Sequence, residues 1–144
     1  SLRMQNVEEI ESGEDHFFLD TGSPHYVKFV KDIESINVFE EGQKIRYNER
    51  FKNDGTNVNF VQIKDQKIYV RTYERGVEDE TFACGTGVVA SVLSAYEAKL
   101  ISNNTVEVIA LGGDLKVIFE KKEHYHTINL VGPYDCVYKG EIIC

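Results

Sequence analysis

The stretch Gly85-Thr86-Gly87-Val88-Val89-Ala90-Ser91-Val92-Leu93-Ser94-Ala95-Tyr96-Glu97-Ala98-Lys99-Leu100 decides the fold. Val88, Val89, Val92, Leu93, Tyr96 and Leu100, with Ala90, Ala95 and Ala98, fall on nearly every side of a 3.6-residue helix, and no charge appears before Glu97. The spacing predicts a helix over 85–100, apolar all round, which must be buried on all sides. Strands have to supply that cover, because open sheet edges and an unburied helix would otherwise remain.

Working outward, β-rich runs at 17–19 and 26–30 are separated by the turn cluster Gly22-Ser23-Pro24. The runs at 57–63 and 68–73 flank Lys64-Asp65-Gln66-Lys67 and predict a hairpin. Further strands are expected at 106–109, 115–119, 127–131 and 135–142, with Gly112-Gly113 as the first turn among them. Between 32 and 51, Ile36, Phe39 and Ile45 fit one face of a short amphipathic helix with Gly42 near its end. The expected class is α+β: a strongly curved, mostly antiparallel, barrel-like sheet wrapped round one central buried helix, with residues 1–144 as a single domain.

Composition narrows the partners. The 144 residues are 42% hydrophobic and 28% charged with two prolines, outside the disordered classes. Sixteen Lys and Arg against 24 Asp and Glu give a net charge of −8, which repels phosphate backbones and anionic membranes and argues against nucleic acid. The longest charge-free stretch, 81–96, is broken by Gly, Ser and Thr and falls short of the ~20 apolar residues of a bilayer span. Residues 1–6 lack the pattern of a secretory signal, so a soluble cytoplasmic chain is expected. The three cysteines, Cys84, Cys136 and Cys144, are too few and odd in number for a disulfide framework.

Chemistry concentrates in Tyr73-Glu74-Arg75-Gly76 and Ala83-Cys84-Gly85-Thr86-Gly87. A cysteine just before a helix meets the positive end of its dipole and the free N–H groups of its first turn, which favour thiolate over thiol. Gly85, Gly87 and Thr86 would offer N–H donors and a hydroxyl to a carboxylate. Free cysteine is also a common buried apolar residue, and that plainer reading is kept for Cys136 and Cys144. Gly85-Thr86-Gly87-Val88-Val89-Ala90, with Glu107 downstream, also fits a dinucleotide fingerprint. That fingerprint needs a strand directly before the glycines, whereas residues 74–84 intervene and carry five charges.

Tyr73-Glu74-Arg75-Gly76 with Ala83-Cys84-Gly85-Thr86-Gly87 resembles the C-terminal half of the diaminopimelate epimerase family. Gly22-Ser23-Pro24-His25 is similar to that family's G-N-P-H turn, Asn57-Val58-Asn59-Phe60 to its N-V-N-F strand, and Gly132-Pro133 with Gly140-Glu141-Ile142 to its ending. The resemblance implies two domains, each a sheet rolled round a helix, facing each other across the substrate. It implies interconversion of LL- and meso-diaminopimelate, for lysine and cell-wall synthesis, with no cofactor, neither pyridoxal phosphate nor metal. One cysteine thiolate removes the α-proton and a second thiol delivers a proton to the opposite face.

Carried over by position, Cys84 is one of the two thiols, Glu74 the carboxylate that modulates it, and His25 a histidine beside the partner cysteine. Gly85 and Thr86 stabilise charge growing on the substrate carboxylate. Asn57, Glu74 and Arg75 hold the distal amino-acid end, and Ser23 stands where the family has Asn. Nothing in the sequence matches the family's N-terminal domain with its C-G-N-G motif, so the implied partner is that missing domain, and the chain is expected to be a C-terminal fragment carrying half a site. The competing expectations are a racemase of another amino acid, as in proline racemase-like enzymes, and an anion-binding module without catalysis. Two copies pairing through Cys84 would be a third arrangement.

Overall fold

The structure, a computed structural model, describes residues 1–133. The strand expected at 135–142, with Cys136, Gly140 and Cys144, lies outside the described residues. In chain order the elements are β1 (Leu2–Arg3), β2 (Glu11–Ser12), β3 (Phe17–Asp20), β4 (Pro24–Phe29), α1 (Val38–Arg46), β5 (Asn57–Lys64), β6 (Lys67–Glu74), β7 (Asp79–Thr81), α2 (Gly85–Glu97), β8 (Thr105–Ala110), β9 (Gly113–Lys121) and β10 (Tyr125–Val131). The fold is α+β. Its ten strands form one sheet in the order β1-β10-β9-β8-β6-β5-β4-β3-β2, with β7 paired to β6 off that path. Only β4–β5 and β6–β8 are parallel; the other pairings are antiparallel.

The hydrogen-bonded sheet is not closed. Its ends are β1, on β10, and β2, on β3. Residues 1–12 run from one end to the other, and between β1 and β2 they bond to β10 through the Met4 N–H, to the Ile128 carbonyl, and through an isolated bridge of Val7 with Tyr125. The described ladder therefore lacks the closure that a barrel requires.

Both faces of the central strands are covered, which is why β5 is buried over five successive residues instead of alternating. Val58, Phe60 and Tyr73 join Tyr26, Val38 and Phe51 in the smaller apolar cluster, beside α1. Val27, Val61, Ile68 and Val70 face the other way and pack with Val88, Val89, Val92 and Leu93 of α2. α2 touches β3, β4, β5, β6, β8, β9 and β10, and its residues from Gly87 to Ala95 are buried.

Several boundaries differ from expectation. α2 ends at Glu97, not at Leu100, because Lys99 turns left-handed (φ 61°) and the N–H groups of Lys99 and Leu100 return to the carbonyls of Tyr96 and Ala95. Leu100 is consequently exposed. In α1, Phe39 is exposed, and Gly42 lies inside the helix, where its missing side chain admits the ring of Tyr73: a Cβ there would fall 2.5 Å from Tyr73 Cβ. The β8–β9 turn is made by Leu111-Gly112, and Gly113 already belongs to β9. The hairpin is as expected, with Asp65 and Gln66 both at positive φ, the geometry of a two-residue type I′ turn.

Candidate functional site

The face of the sheet that meets α2 is apolar along most of its length and turns polar near the N-terminus of that helix. His25 precedes Val27 on β4, Asn57 and Asn59 precede Val61 on β5, and Thr72 follows Val70 on β6, each pair of neighbours spaced so as to share that face. All four polar residues are buried. Burial without partners would cost each polar group about 1–3 kcal/mol, so Thr72 bonds to Asn59 and Asn59 to His25, while Asn57 bonds to Ser23 and to backbone groups of Pro24 and Arg75.

The second edge of β6 changes partner along its length. Ile68 and Tyr69 pair with β8, whereas Thr72, Tyr73 and Glu74 pair with β7. β7 therefore carries the chain back across the end of the sheet, and three residues later Cys84 caps α2. Cys84 has extended backbone (φ −131°, ψ 108°), is half-buried and a free thiol, and its side chain does not bond the helix's first N–H groups. Those N–H groups, of Gly85, Thr86 and Gly87, precede the first helical bond, from the Val88 N–H to the Cys84 carbonyl, and constitute a helix N-terminus without a side-chain cap, the positive end of the helix dipole.

Thr86 joins the cysteine to the polar patch. Its Oγ1 lies 3.4 Å from Cys84 Sγ, 2.8 Å from His25 Nε2 and 3.3 Å from Ser23 Oγ. The Thr21 hydroxyl donates to the Thr86 carbonyl at 2.7 Å, fixing β3's end to the helix. His25 is fully buried, and burial, aided by the positive charge of Arg75, holds its pKa down to about 4 against a weaker upward pull from Asp20. It is therefore a neutral imidazole over the physiological range. Gly87 is required here by close approach: a Cβ would sit 2.4 Å from Asn59 Oδ1.

The Asn57 amide braces two loops. Its Nδ2 donates to Ser23 Oγ and to the Pro24 carbonyl, both at 3.0 Å, and its Oδ1 accepts the Arg75 N–H at 2.8 Å. Arg75 Nη1 in turn donates to the Asp54 carbonyl at 2.9 Å. Glu74 ends β6 opposite Asp79, half-buried. Thus Ser23, His25, Asn57, Cys84 and Thr86 form one hydrogen-bonded group that includes the Arg75 backbone, while Glu74 and Gly85 adjoin it through the chain.

Three contributors escaped the sequence reading. Asn59 and Thr72 form the buried base of the group, and Glu78 braces the turn that carries Glu74 and Arg75. The Glu78 carboxylate accepts from Arg46 Nε at 3.1 Å, the Gly76 N–H at 3.0 Å and the Tyr73 hydroxyl at 3.1 Å. Partial burial raises its pKa, but the Gly76, Tyr47, Tyr73 and Arg46 bonds outweigh that and leave it below the usual value. The dinucleotide reading finds no support, since Glu107 lies on β8 with its carboxylate 3.3 Å from Lys67 Nζ and Gly87 is taken up by packing.

The exposed surface beside Cys84 is apolar. Phe82 is 78% exposed, and its carbonyl accepts the Gly112 N–H at 2.8 Å, which draws the exposed Leu111 alongside.

Two comparisons define first the class of fold and then the family. Crystal structures of phenazine biosynthesis PhzF-family proteins from Enterococcus faecalis (TM-score 0.55, 17% identity, 86% of this chain and 43% of that one) and Bacillus anthracis (TM-score 0.53, 19% identity, 85% and 38%) share its fold. The family model described as diaminopimelate epimerase matches residues 17–137. A diaminopimelate epimerase of Flavobacterium psychrophilum is 40% identical over 99% of this chain and 56% of the relative, and one of Aquifex aeolicus is 42% identical over 87% and 45%. The chain belongs to the diaminopimelate epimerase family. It spans about half the length of the curated relatives it matches.

Proposed function

We propose that residues 1–144 act as one unit, the Cys84-bearing half of a cofactor-independent epimerase that interconverts LL- and meso-diaminopimelate in lysine and peptidoglycan precursor synthesis. The observation that carries this reading is Cys84 at the uncapped start of α2, its sulfur next to the Thr86 hydroxyl, which in turn meets a neutral, buried His25. In this reading the sheet curls round α2, so that the helix dipole points out of the core at the substrate.

Cys84 thiolate takes the substrate's α-proton, and the electron pair left on carbon delocalises into the α-carboxylate. The N–H groups of Gly85 and Thr86 meet the charge that grows there, which no neutral side chain would stabilise as well. A thiol on the absent half then protonates the carbon from the other face, leaving that sulfur as the thiolate; the reverse reaction exchanges the two roles. Glu74 modulates Cys84, and His25 stands beside the partner thiol. Arg75 and Glu74 recognise the distal carboxylate and ammonium. Asn57 has both amide protons committed, so it contributes its remaining Oδ1 lone pair to that ammonium, and Ser23, shorter than the family's Asn and bonded to Asn57, leaves the corresponding substrate bond shorter, water-mediated or absent. Phe82 and Leu111 form the seat of the absent N-terminal domain, whose docking would exclude water from the site.

The reading is tested by mixing this chain with the upstream half and following LL- to meso-diaminopimelate by chiral chromatography, with proline as the competing substrate. Inversion of diaminopimelate alone supports it. Inversion of proline would make the protein a racemase of another amino acid, and inversion of neither, with both halves folded, would leave an anion-binding module.

A further inference from the structure

We infer that Asn59 and Thr72 are positioning residues that give direction to a hydrogen-bond chain running from Thr72 through Asn59, His25 and Thr86 to the sulfur of Cys84. The significance for catalysis rests on the reading of Cys84 as a base; the direction itself follows from donor and acceptor counting alone.

The fixed point is the carbonyl of Tyr26, which can only accept. Asn59 lies 3.3 Å from it through Nδ2, which settles which end of the amide is nitrogen. The same Nδ2 lies 2.9 Å from His25 Nδ1, so it donates there as well, and Nδ1 must be the unprotonated nitrogen of the ring. Asn59 Oδ1 is then an obligate acceptor and takes the Thr72 hydroxyl proton at 2.9 Å. With Nδ1 unprotonated, the neutral imidazole carries its proton on Nε2 and donates to Thr86 Oγ1 at 2.8 Å.

Ser23 closes the count. Its oxygen accepts from Asn57 at 3.0 Å and from the shared Nε2–H at 3.2 Å, which occupies both lone pairs, so across the 3.3 Å to Thr86 Oγ1 it is Ser23 that donates. Thr86 Oγ1 then accepts twice, and its own proton is left for Cys84 Sγ at 3.4 Å. Every bond in the chain donates toward the cysteine, so each polarises the next and the last one favours negative charge on sulfur. Asn59, Thr72 and His25 are all buried, so water does not compete for the chain's inner links.

The test reads the ring and the sulfur separately. In nitrogen-15-labelled chain at neutral pH, long-range proton–nitrogen correlation is expected to show His25 protonated on Nε2; protonation on Nδ1 would overturn the inference with no variant needed. Alkylation of Cys84 by iodoacetamide, followed peptide by peptide in the mass spectrometer, reads the sulfur. Asn59→Leu is expected to abolish the tautomer preference and slow Cys84 alkylation about fivefold, the scale of one hydrogen bond. Thr86→Val is expected to slow alkylation similarly while leaving His25 on Nε2, and Thr72→Ser to leave both readouts unchanged. A native Asn59→Leu protein, by circular dichroism, with wild-type alkylation would overturn the inference. Should Asn59→Leu fail to fold, the wild-type ring and Thr86→Val still decide. If these results hold while the mixed halves invert no diaminopimelate, the epimerase reading fails and the directed chain stands.

Discussion

His25 Nε2 on β4 and Thr86 Oγ1 in the first turn of α2 are 2.8 Å apart, a hydrogen bond between residues 61 positions apart in sequence. It ties the sheet's polar end to the helix that begins with the cysteine. The apolar packing of α2 sets the helix in place, and this bond sets the rotation of its first turn, hence where Cys84 points.

Removing that bond should be costly beyond its size. Thr86→Val leaves the buried Nε2–H of His25 with only the longer contact to Ser23, and is expected to destabilise the chain by about 1–2 kcal/mol, whereas Thr86→Ser should retain nearly full stability. Urea denaturation of the three proteins checks this.

The buried imidazole also predicts an acid response. Its folded-state pKa is about 4 against 6.5 for the free side chain, so between those values the unfolded chain binds a proton that the folded chain refuses. Stability contributed by neutral His25 is therefore complete above pH 6.5, is lost as pH falls toward 4, and amounts to about 3 kcal/mol. Denaturant titrations across that range should show the slope, and His25→Asn should flatten it.

Gly87 is predicted to be intolerant of a single methyl group. A Cβ 2.4 Å from Asn59 Oδ1 must displace either the strand or the helix, and Gly87→Ala should cost about 1–3 kcal/mol. Gly76→Ala meets no atom within 4 Å and should lose only the roughly 1 kcal/mol of its left-handed backbone (φ 95°). Thermal unfolding of both variants separates clash from strain.

Glu78→Gln should loosen the turn that presents Arg75. It keeps a hydrogen-bonding side chain but removes the charge that Arg46 and the Gly76 N–H share, for an expected loss of about 1–2 kcal/mol. Proteolytic cleavage after Arg75 should accelerate in the variant. Unchanged cleavage would mean that the turn is held by its backbone alone.

The parts of this molecule legible in sequence are those with a long, one-signed pattern. The stretch 85–100 reads as a buried helix, only its last turn falling outside α2, and the runs 57–63 and 68–73 read as a hairpin because β-branched runs flank a short polar turn. β1, β2 and β7 are two or three residues long, too short for any period to register, and they exist because neighbouring edges needed partners. At the site, Cys84 and Thr86 stood out through their glycines. Asn59 and Thr72 did not, since a polar residue in a strand ordinarily marks the solvent face; only the packing of α2 over that face buries them. Glu78 read as one charge in an acidic loop, and its role depends on Arg46, 32 positions away.

The most direct test of Cys84 as a proton-transferring base is solvent deuterium incorporation at the α-carbon of LL-diaminopimelate, using this chain with its upstream half, the same pair carrying Cys84→Ala, and this chain alone. The account predicts exchange by the unmodified pair and none by the other two. Exchange that survives Cys84→Ala would contradict it, and exchange by this chain alone would place both proton-transferring groups on residues 1–144.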